Sequence, residues 1–144
     1  MGLRSAKNRF GVYAILLIIL PMDTNELIKS VIRICYDVHC ELGCGYIEKV
    51  YEKSLLIALQ DAGLNVESQR SFEVRFRGHL VGEFYADILV NEKVILELKA
   101  VTSIEAVHKA QVLNYLKAAN LETGLLVNFG SLQPEINRLY NKHR

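Results

Sequence analysis

Proline is nearly absent from the interior of this chain: of 144 residues only Pro21 and Pro134 are proline, and both lie near the ends. No Pro-rich or Gly-rich stretch between them reads as a linker, and no repeat or low-complexity tract breaks the sequence, so two domains are a poor description. Charge of one sign is lacking too. A formal net charge of +1 excludes any whole-molecule electrostatic claim on nucleic acid, leaving only a local patch to supply attraction. No Gly-rich loop is followed by Lys-Ser or Lys-Thr, so a phosphate-cradling nucleotide site is not indicated, and Gly82 and Gly124 read instead as places of close strand approach. Cysteine is sparse and odd in number: Cys35, Cys40 and Cys44 cannot form a self-contained disulfide framework, which points to a reducing compartment, the cytoplasm in the simplest case. Cys40 and Cys44, four apart beside His39, could touch one metal. Cys35 faces elsewhere and no matching pair follows, so buried or incidental thiols are the simpler reading.

What is present is enough apolar material, 51% of residues, for one core that needs no staple. Residues 1 to 21 stand apart. Arg4, Lys7 and Arg9 precede the apolar run Val12 to Leu20, the first two parts of a signal peptide. That run is too short to span a bilayer, and no small-x-small cleavage pattern follows. Met22 then stands directly before Asp23-Thr24-Asn25-Glu26, a good helix start, so residues 1 to 21 read as a misassigned leader and residues 22 to 144 as the domain. A signal or anchor is the alternative, and a membrane association would rest on it alone. Without the leader's three basic residues, 14 basic stand against 16 acidic residues, a balance of −2.

Ile28, Val31, Ile32, Cys35, Val38 and Leu42 recur at three and four residues and predict a helix from about Asn25 to Leu42, capped by Asp23 or Thr24 with Glu26 closing a box. Gly43 and Gly45 break it. A second helix is expected from about Tyr46 to Ala62, with Gly63 as its left-handed terminator. From Leu64 the period becomes two. Phe72, Val74 and Phe76 alternate with Glu73 and Arg75; Arg77-Gly78 turns into a strand from His79 to Val90, and Asn91-Glu92 into Val94 to Lys99. Thr102-Ser103-Ile104-Glu105 reads as the capping box of a helix to about Ala119. Thr123 to Phe129 is a nearly continuous apolar strand, buried on both faces. Ser131 is expected to cap a terminal helix through about Tyr140. The element order is then α-α-β-β-β-β-α-β-α.

Chemistry concentrates on two of these strands. Asp87 and Glu97 lie in apolar surroundings on strands joined by a two-residue turn, where unpaired carboxylates would cost roughly several kcal/mol. Oxygen donors converging there suit one or two Mg²⁺ or Mn²⁺ ions, and the Leu98 carbonyl could add another. Lys99, two residues after Glu97 on the same strand face, could orient a metal-activated water and stabilise charge developing on a phosphoryl oxygen. The plain alternative is an ion pair of Asp87 or Glu97 with Lys99 and no chemistry. Glu48 and Glu52 share a helix face, and either could complete a metal shell or simply be solvated beside Lys49 and Lys53. His108, Gln111 and Tyr115 form a similar ridge: Gln111 could hold water or phosphate, Tyr115 could stack on substrate, and an interhelical contact would use the same spacing. His39 and His108 read as structural.

Together these residues resemble the GxxExxY protein family, a branch of the PD-(D/E)xK nuclease-like superfamily. The motif stands as Gly45-Tyr46-Ile47-Glu48-Lys49-Val50-Tyr51, with further agreement in Ala86-Asp87-Ile88-Leu89-Val90, Leu96-Glu97-Leu98-Lys99-Ala100, Ala110 to Leu116 and Gly124 to Gly130. Cys44 stands where the family often has proline. The resemblance implies an α/β, restriction-endonuclease-like fold, a mixed central sheet flanked by helices. It implies Asp87, Glu97 and Lys99 as the acidic pair and lysine, Glu48 or Glu52 as the helix-borne acid, and Gln111 with Tyr115 as the motif of the RecB-like and archaeal resolvase-like branches. Mg²⁺ is the implied cofactor. The expected activity is hydrolysis of nucleic acid, DNA first, with Arg70, Arg75, Arg77, Lys109 and Lys117 available for phosphate contacts if they cluster, Arg75 and Arg77 foremost. A noncatalytic nucleic-acid or protein interaction module on the same scaffold is the second expectation, because fold does not fix function. A homodimer is left open.

Overall fold

The computed structural model describes residues 22 to 142, so the readings of residues 1 to 21 fall outside the described residues. In chain order the elements are α1 (Thr24–Leu42), α2 (Glu48–Asp61), β1 (Val66–Phe76), β2 (His79–Val90), β3 (Val94–Lys99), α3 (Ala106–Ala119), β4 (Thr123–Asn128) and β5 (Glu135–Tyr140). The sheet follows the order β1-β2-β3-β4-β5 and is mixed: β3 and β4 run parallel, every other neighbouring pair antiparallel. The parallel step requires a crossover, and α3 supplies it.

Strand alternation assigns the layers. Val94, Leu96 and Leu98 of β3, with Leu125 and Val127 of β4, pack against Leu27, Ile28, Val31 and Cys35 of α1 and Tyr51, Leu55 and Leu59 of α2. Ile95 and Leu126 point the other way, onto Val112 and Leu116 of α3. Gly124 lets α3 approach β4, since a Cβ there would lie 2.9 Å from Val112 Cγ1. Gly82 does not share that role: an added Cβ would meet Val74 at an ordinary 3.9 Å, although this pair flanks the register shift in the hairpin.

The turns follow their sequence signals. Arg77-Gly78 joins paired Phe76 and His79 with positive φ at both residues, the two-residue hairpin geometry that matches strand twist; Asn91 and Glu92 also have positive φ, but Val90 pairs with Val94, so the expected two-residue turn is a three-residue connection that includes Lys93. Gly63, at φ +80°, ends α2: its N–H donates to the Gln60 carbonyl while that of Leu64 donates to Leu59.

Four expectations are corrected. The stretch ahead of the first hairpin turn is one strand, Val66–Phe76, so three strands rather than four precede α3. The terminal helix is instead strand β5. Buried β4 would otherwise leave a row of unpaired backbone groups along its outer edge, and Glu135–Tyr140 satisfies them, overriding local signals. Ser131 Oγ donates within its own turn, to the Gln133 carbonyl, rather than capping a helix. Helix α3 starts at Ala106, with His108 Nδ1 accepting the Glu105 N–H at 3.0 Å, so its box lies three residues beyond the expected one. At α1, Asp23 holds the cap position without a side-chain cap bond.

Candidate functional site

Asp87 lies where β2 changes phase. Ile88 and Val90 face the α1/α2 layer, whereas Phe84 and Ala86, also even-numbered, face α3. The facing strand does the same: Val66 packs with the first layer and Phe72 with the second. Between them Gln69, opposite Asp87, adopts φ +55°, a conformation uncommon for a non-glycine residue. The hairpin rotates at this pair, and β2 leaves β3 at the same point, their pairing ending at Ile88 with Leu96.

The Asp87 side chain fills the gap. Its Oδ2 accepts the Leu98 N–H at 2.8 Å, and Gln69 Nε2 approaches Oδ1 at 3.3 Å. A strand residue's N–H and C=O project to the same side, so the Leu98 carbonyl also faces the gap. Glu97 is buried, 6% exposed, with Oε1 at 3.9 Å from Lys99 Nζ; Oε2 has no hydrogen-bond partner among the described residues. Burial, reinforced by the Asp87 charge and opposed by Lys99, pushes the Glu97 carboxyl up to about 8. Burial also raises Asp87, against the Leu98 and Gln69 hydrogen bonds.

The two helix-borne acids separate. Glu48, in the first turn of α2, is raised by desolvation and by the charge of Asp87, and lowered by Lys99; it belongs electrostatically to the Asp87 and Glu97 cluster. Glu52 is buried and its Oε1 is already occupied, accepting from Lys49 Nζ (2.9 Å), Ser68 Oγ (2.9 Å) and Gln69 Nε2 (3.3 Å). Burial alone would raise Glu52, but these bonds outweigh it and hold the carboxyl below its ordinary value. Gln69, which sequence reading missed, thus bridges Glu52 to Asp87.

Tyr51 explains the last position of the glycine-to-tyrosine motif. Fully buried, its hydroxyl donates to the Gly43 carbonyl at 2.6 Å and accepts the Tyr46 N–H at 3.3 Å, fixing the loop that delivers Glu48. Its ring stacks on Phe129 at 4.6 Å, and His39 stacks on the same ring while its Nε2 lies 2.9 Å from the Ser131 carbonyl. His39 is therefore structural, as is the capping His108.

Asn128 was also missed as a site support, although a polar residue inside a continuous apolar run was a signal. It lies opposite Lys99 in the β3/β4 register and is fully buried. Its Oδ1 accepts the Val101 and Gly130 N–H groups, both at 3.0 Å, and its Nδ2 donates to the Val101 carbonyl at 2.9 Å, clamping the chain as it leaves Lys99.

From α3, Gln111 Nε2 donates to Tyr115 Oη at 2.7 Å. Burial and the charges of Glu97 and Asp87 raise the Tyr115 hydroxyl, so this pair faces the acids. The structure does not bring Arg75 and Arg77 there. Arg77 lies in the hairpin turn, with its guanidinium over Phe76, and Arg75 is held by Glu73 through Nε (3.0 Å) and Nη2 (2.7 Å). From Asp87 to that turn the strand runs roughly 25 Å. Cys40 and Cys44 are exposed and Cys35 is buried; all three are free.

Among the described residues, no three His, Cys, Asp or Glu side chains stand close enough together to form a ready-made metal cage. The donors are nonetheless the right kind for a hard cation: carboxylate oxygens that repel one another, a carbonyl, and a buried carboxylate atom left unsatisfied.

The fold matches known proteins. Residues 25–139 match the model of the PD-(D/E)XK nuclease superfamily, and the chain belongs to that superfamily. Among solved structures, one titled "Crystal structure of SSO0001" superposes with a TM-score of 0.52 at 20% identity, over 64% of this chain and 48% of the other. The chain thus spans about half the length of that protein, and the likeness concerns the fold. No curated protein matches significantly. Among the described residues no helix is long and apolar enough to cross a membrane.

Proposed function

We propose that this protein is a divalent-cation-dependent nuclease of the GxxExxY branch, hydrolysing phosphodiester bonds in nucleic acid, DNA in the first instance, within a reducing compartment such as the cytoplasm. The observation that carries this reading is the buried Glu97 carboxylate, unsatisfied at Oε2 and surrounded by Asp87, Glu48 and Lys99. An acid raised by burial, and further by neighbouring carboxylates, is the state a cation would relieve. Asp87, Glu97 and the Leu98 carbonyl would hold Mg²⁺ or Mn²⁺, with Glu48 completing the set and Glu52 left to its structural bonds. When bound, the cation supplies Lewis-acid activation of water and of the scissile phosphodiester.

The chain's own residues do the rest. Lys99 brings an ammonium to the edge of the acid cluster, where it offsets negative charge developing on a phosphoryl oxygen. Asn128 and Gly130 hold the backbone beyond Lys99, and a positioned charge acts more strongly than a mobile one. Gln111 and Tyr115 offer an amide and a hydroxyl on the facing helix, suited to a non-bridging oxygen or to orienting water.

The second reading, a noncatalytic nucleic-acid or protein interaction module, is favoured by the absence of a ready-made cage among the described residues and by the Glu97 to Lys99 contact. Cleavage of a labelled panel of single-stranded, duplex, flap and four-way-junction DNA and RNA separates the two. Metal-dependent cutting, abolished by EDTA and by Lys99→Ala in a folded protein, is expected. No cutting of any substrate, by a protein that neither Mg²⁺ nor Mn²⁺ stabilises, would select the module.

A further inference from the structure

Three adjoining cavities run along α3, and Asn114 lines all of them. The first, about 350 Å³, is lined by Gln111 and Tyr115 beside the acid cluster. The second, about 910 Å³, opens between α3 and the projecting β1/β2 hairpin. The third, about 540 Å³, continues to β5 and the residues after it. One wall of the second is an aromatic stack: buried Phe84 lies between Phe72 at 5.3 Å and Tyr115 at 3.9 Å, so the outer face of Tyr115 is the one turned to a ligand. The groove's charge is one-sided. Arg75, Lys117 and Lys142 line the groove against one acid, Glu73, on a domain whose balance from Met22 onward is −2, whereas Arg138 turns its guanidinium to Asn25 of α1 on the other face of the sheet. Glu73 engages Arg75, but Lys117 and Lys142 are exposed and neither forms an ion pair with a carboxylate among the described residues.

We propose that this groove binds single-stranded nucleic acid and leads an unpaired strand to the acid cluster; in taking that cluster as the groove's destination, the inference rests on the nuclease reading. Unpaired cations follow a phosphate backbone, and Tyr115, the outer ring of the stack and a wall of both the first and second cavities, can receive on its outer face a base whose own faces are free. A duplex hides those faces. The substrate class that follows is nucleic acid with a single-stranded arm: a flap, an overhang or a free single strand.

Binding in EDTA, where no cutting occurs, tests the groove independently of catalysis. Fluorescein-labelled oligo-dT, oligo-rU and a duplex of equal length are titrated with the full chain, read by anisotropy across a salt series. The single strands are expected to bind at least about tenfold more tightly than the duplex. Lys117→Ala with Lys142→Ala should weaken them about tenfold and reduce the salt slope by about 0.7 per lysine. Asn114→Glu, an exposed change at the residue common to all three cavities, should abolish binding without altering the circular-dichroism melt. Equal or tighter duplex binding, no single-strand binding, or indifference to both sets of substitutions would overturn the proposal. If cleavage is absent but these binding results hold, the nuclease reading fails alone. If metal-dependent cleavage is present but indifferent to the substitutions, the groove fails alone.

Discussion

Asp87 Oδ2 accepts the backbone N–H of Leu98 at 2.8 Å, so a carboxylate stands where a strand carbonyl would have continued the β2/β3 ladder. That exchange opens the sheet and places a charge in the opening. The two properties of the side chain are separable. Asp87→Asn keeps an acceptor for Leu98 while removing a charge that burial disfavours, so the variant should fold with a melting temperature at or above wild type and lose about 100-fold or more in cleavage. Asp87→Ala leaves the Leu98 N–H orphaned and should also lose about 1–3 kcal/mol of stability. Denaturant titration alongside cleavage assays checks both; a destabilised Asn variant would contradict the division.

Glu97 makes stability depend on pH in the direction opposite to a salt-bridged acid. Its folded value of about 8 lies above the ordinary 4.5, so between those limits the folded state holds the proton more tightly than the unfolded chain does. Without divalent cations the Glu97 contribution should therefore be fully present below about pH 4.5 and be lost as pH rises towards 8, with a slope of up to ~1.4 kcal/mol per pH unit. Glu97→Gln should flatten that slope and melt higher than wild type at pH 8. Melts over pH 5 to 9 decide it: a wild-type slope unchanged by the substitution would show that Glu97 does not titrate in this window.

The contrast between Gly130 and Gly82 tests the backbone beneath Lys99. A Cβ on Gly130 would fall 2.3 Å from the Val101 carbonyl oxygen, whereas one on Gly82 meets a side chain at 3.9 Å. Gly130→Ala should cost about 1–3 kcal/mol or more because only backbone can yield, while Gly82→Ala should stay within about 0.5 kcal/mol. Equal melting shifts for the two would remove Gly130 from its clamping role with Asn128.

What could be read before folding was known depended on how local the cause was. The periodicity of α1, the glycine stop of α2 and the Arg77-Gly78 turn are set within a few residues, and they were legible. Strand β5 was not: its cause is the open edge of β4, supplied by chain folding rather than by residues 131–140. The site divides the same way. Asp87, Glu97 and Lys99 were visible as carboxylates and a lysine out of place on apolar strands, whereas Gln69 gave no signal, because its left-handed backbone arises only where the hairpin rotates between layers. The choice between Glu48 and Glu52 was equally hidden, since both share a helix face and differ in what folding places beside them: Ser68 and Gln69 of β1, with Lys49, at Glu52, and the Asp87 charge at Glu48.

That difference yields the sharpest test of the centre. Glu52 satisfies Lys49, Ser68 and Gln69, so Glu52→Gln should lose charge-assisted bonds in a buried setting and destabilise the fold by about 1–3 kcal/mol. Among the described residues Glu48 accepts no hydrogen bond from another side chain, and it is raised by burial and by Asp87, so Glu48→Gln should leave stability unchanged or slightly higher. In cleavage and in stabilisation by Mg²⁺ the order reverses: Glu48→Gln should lose most of both, while folded Glu52→Gln should retain the larger share. Thermal melts with and without Mg²⁺, paired with cleavage rates, read the two effects in the same samples. A Glu48 variant that cuts and binds Mg²⁺ like wild type would move the helix-borne role to Glu52 and require Lys49, Ser68 and Gln69 to release it.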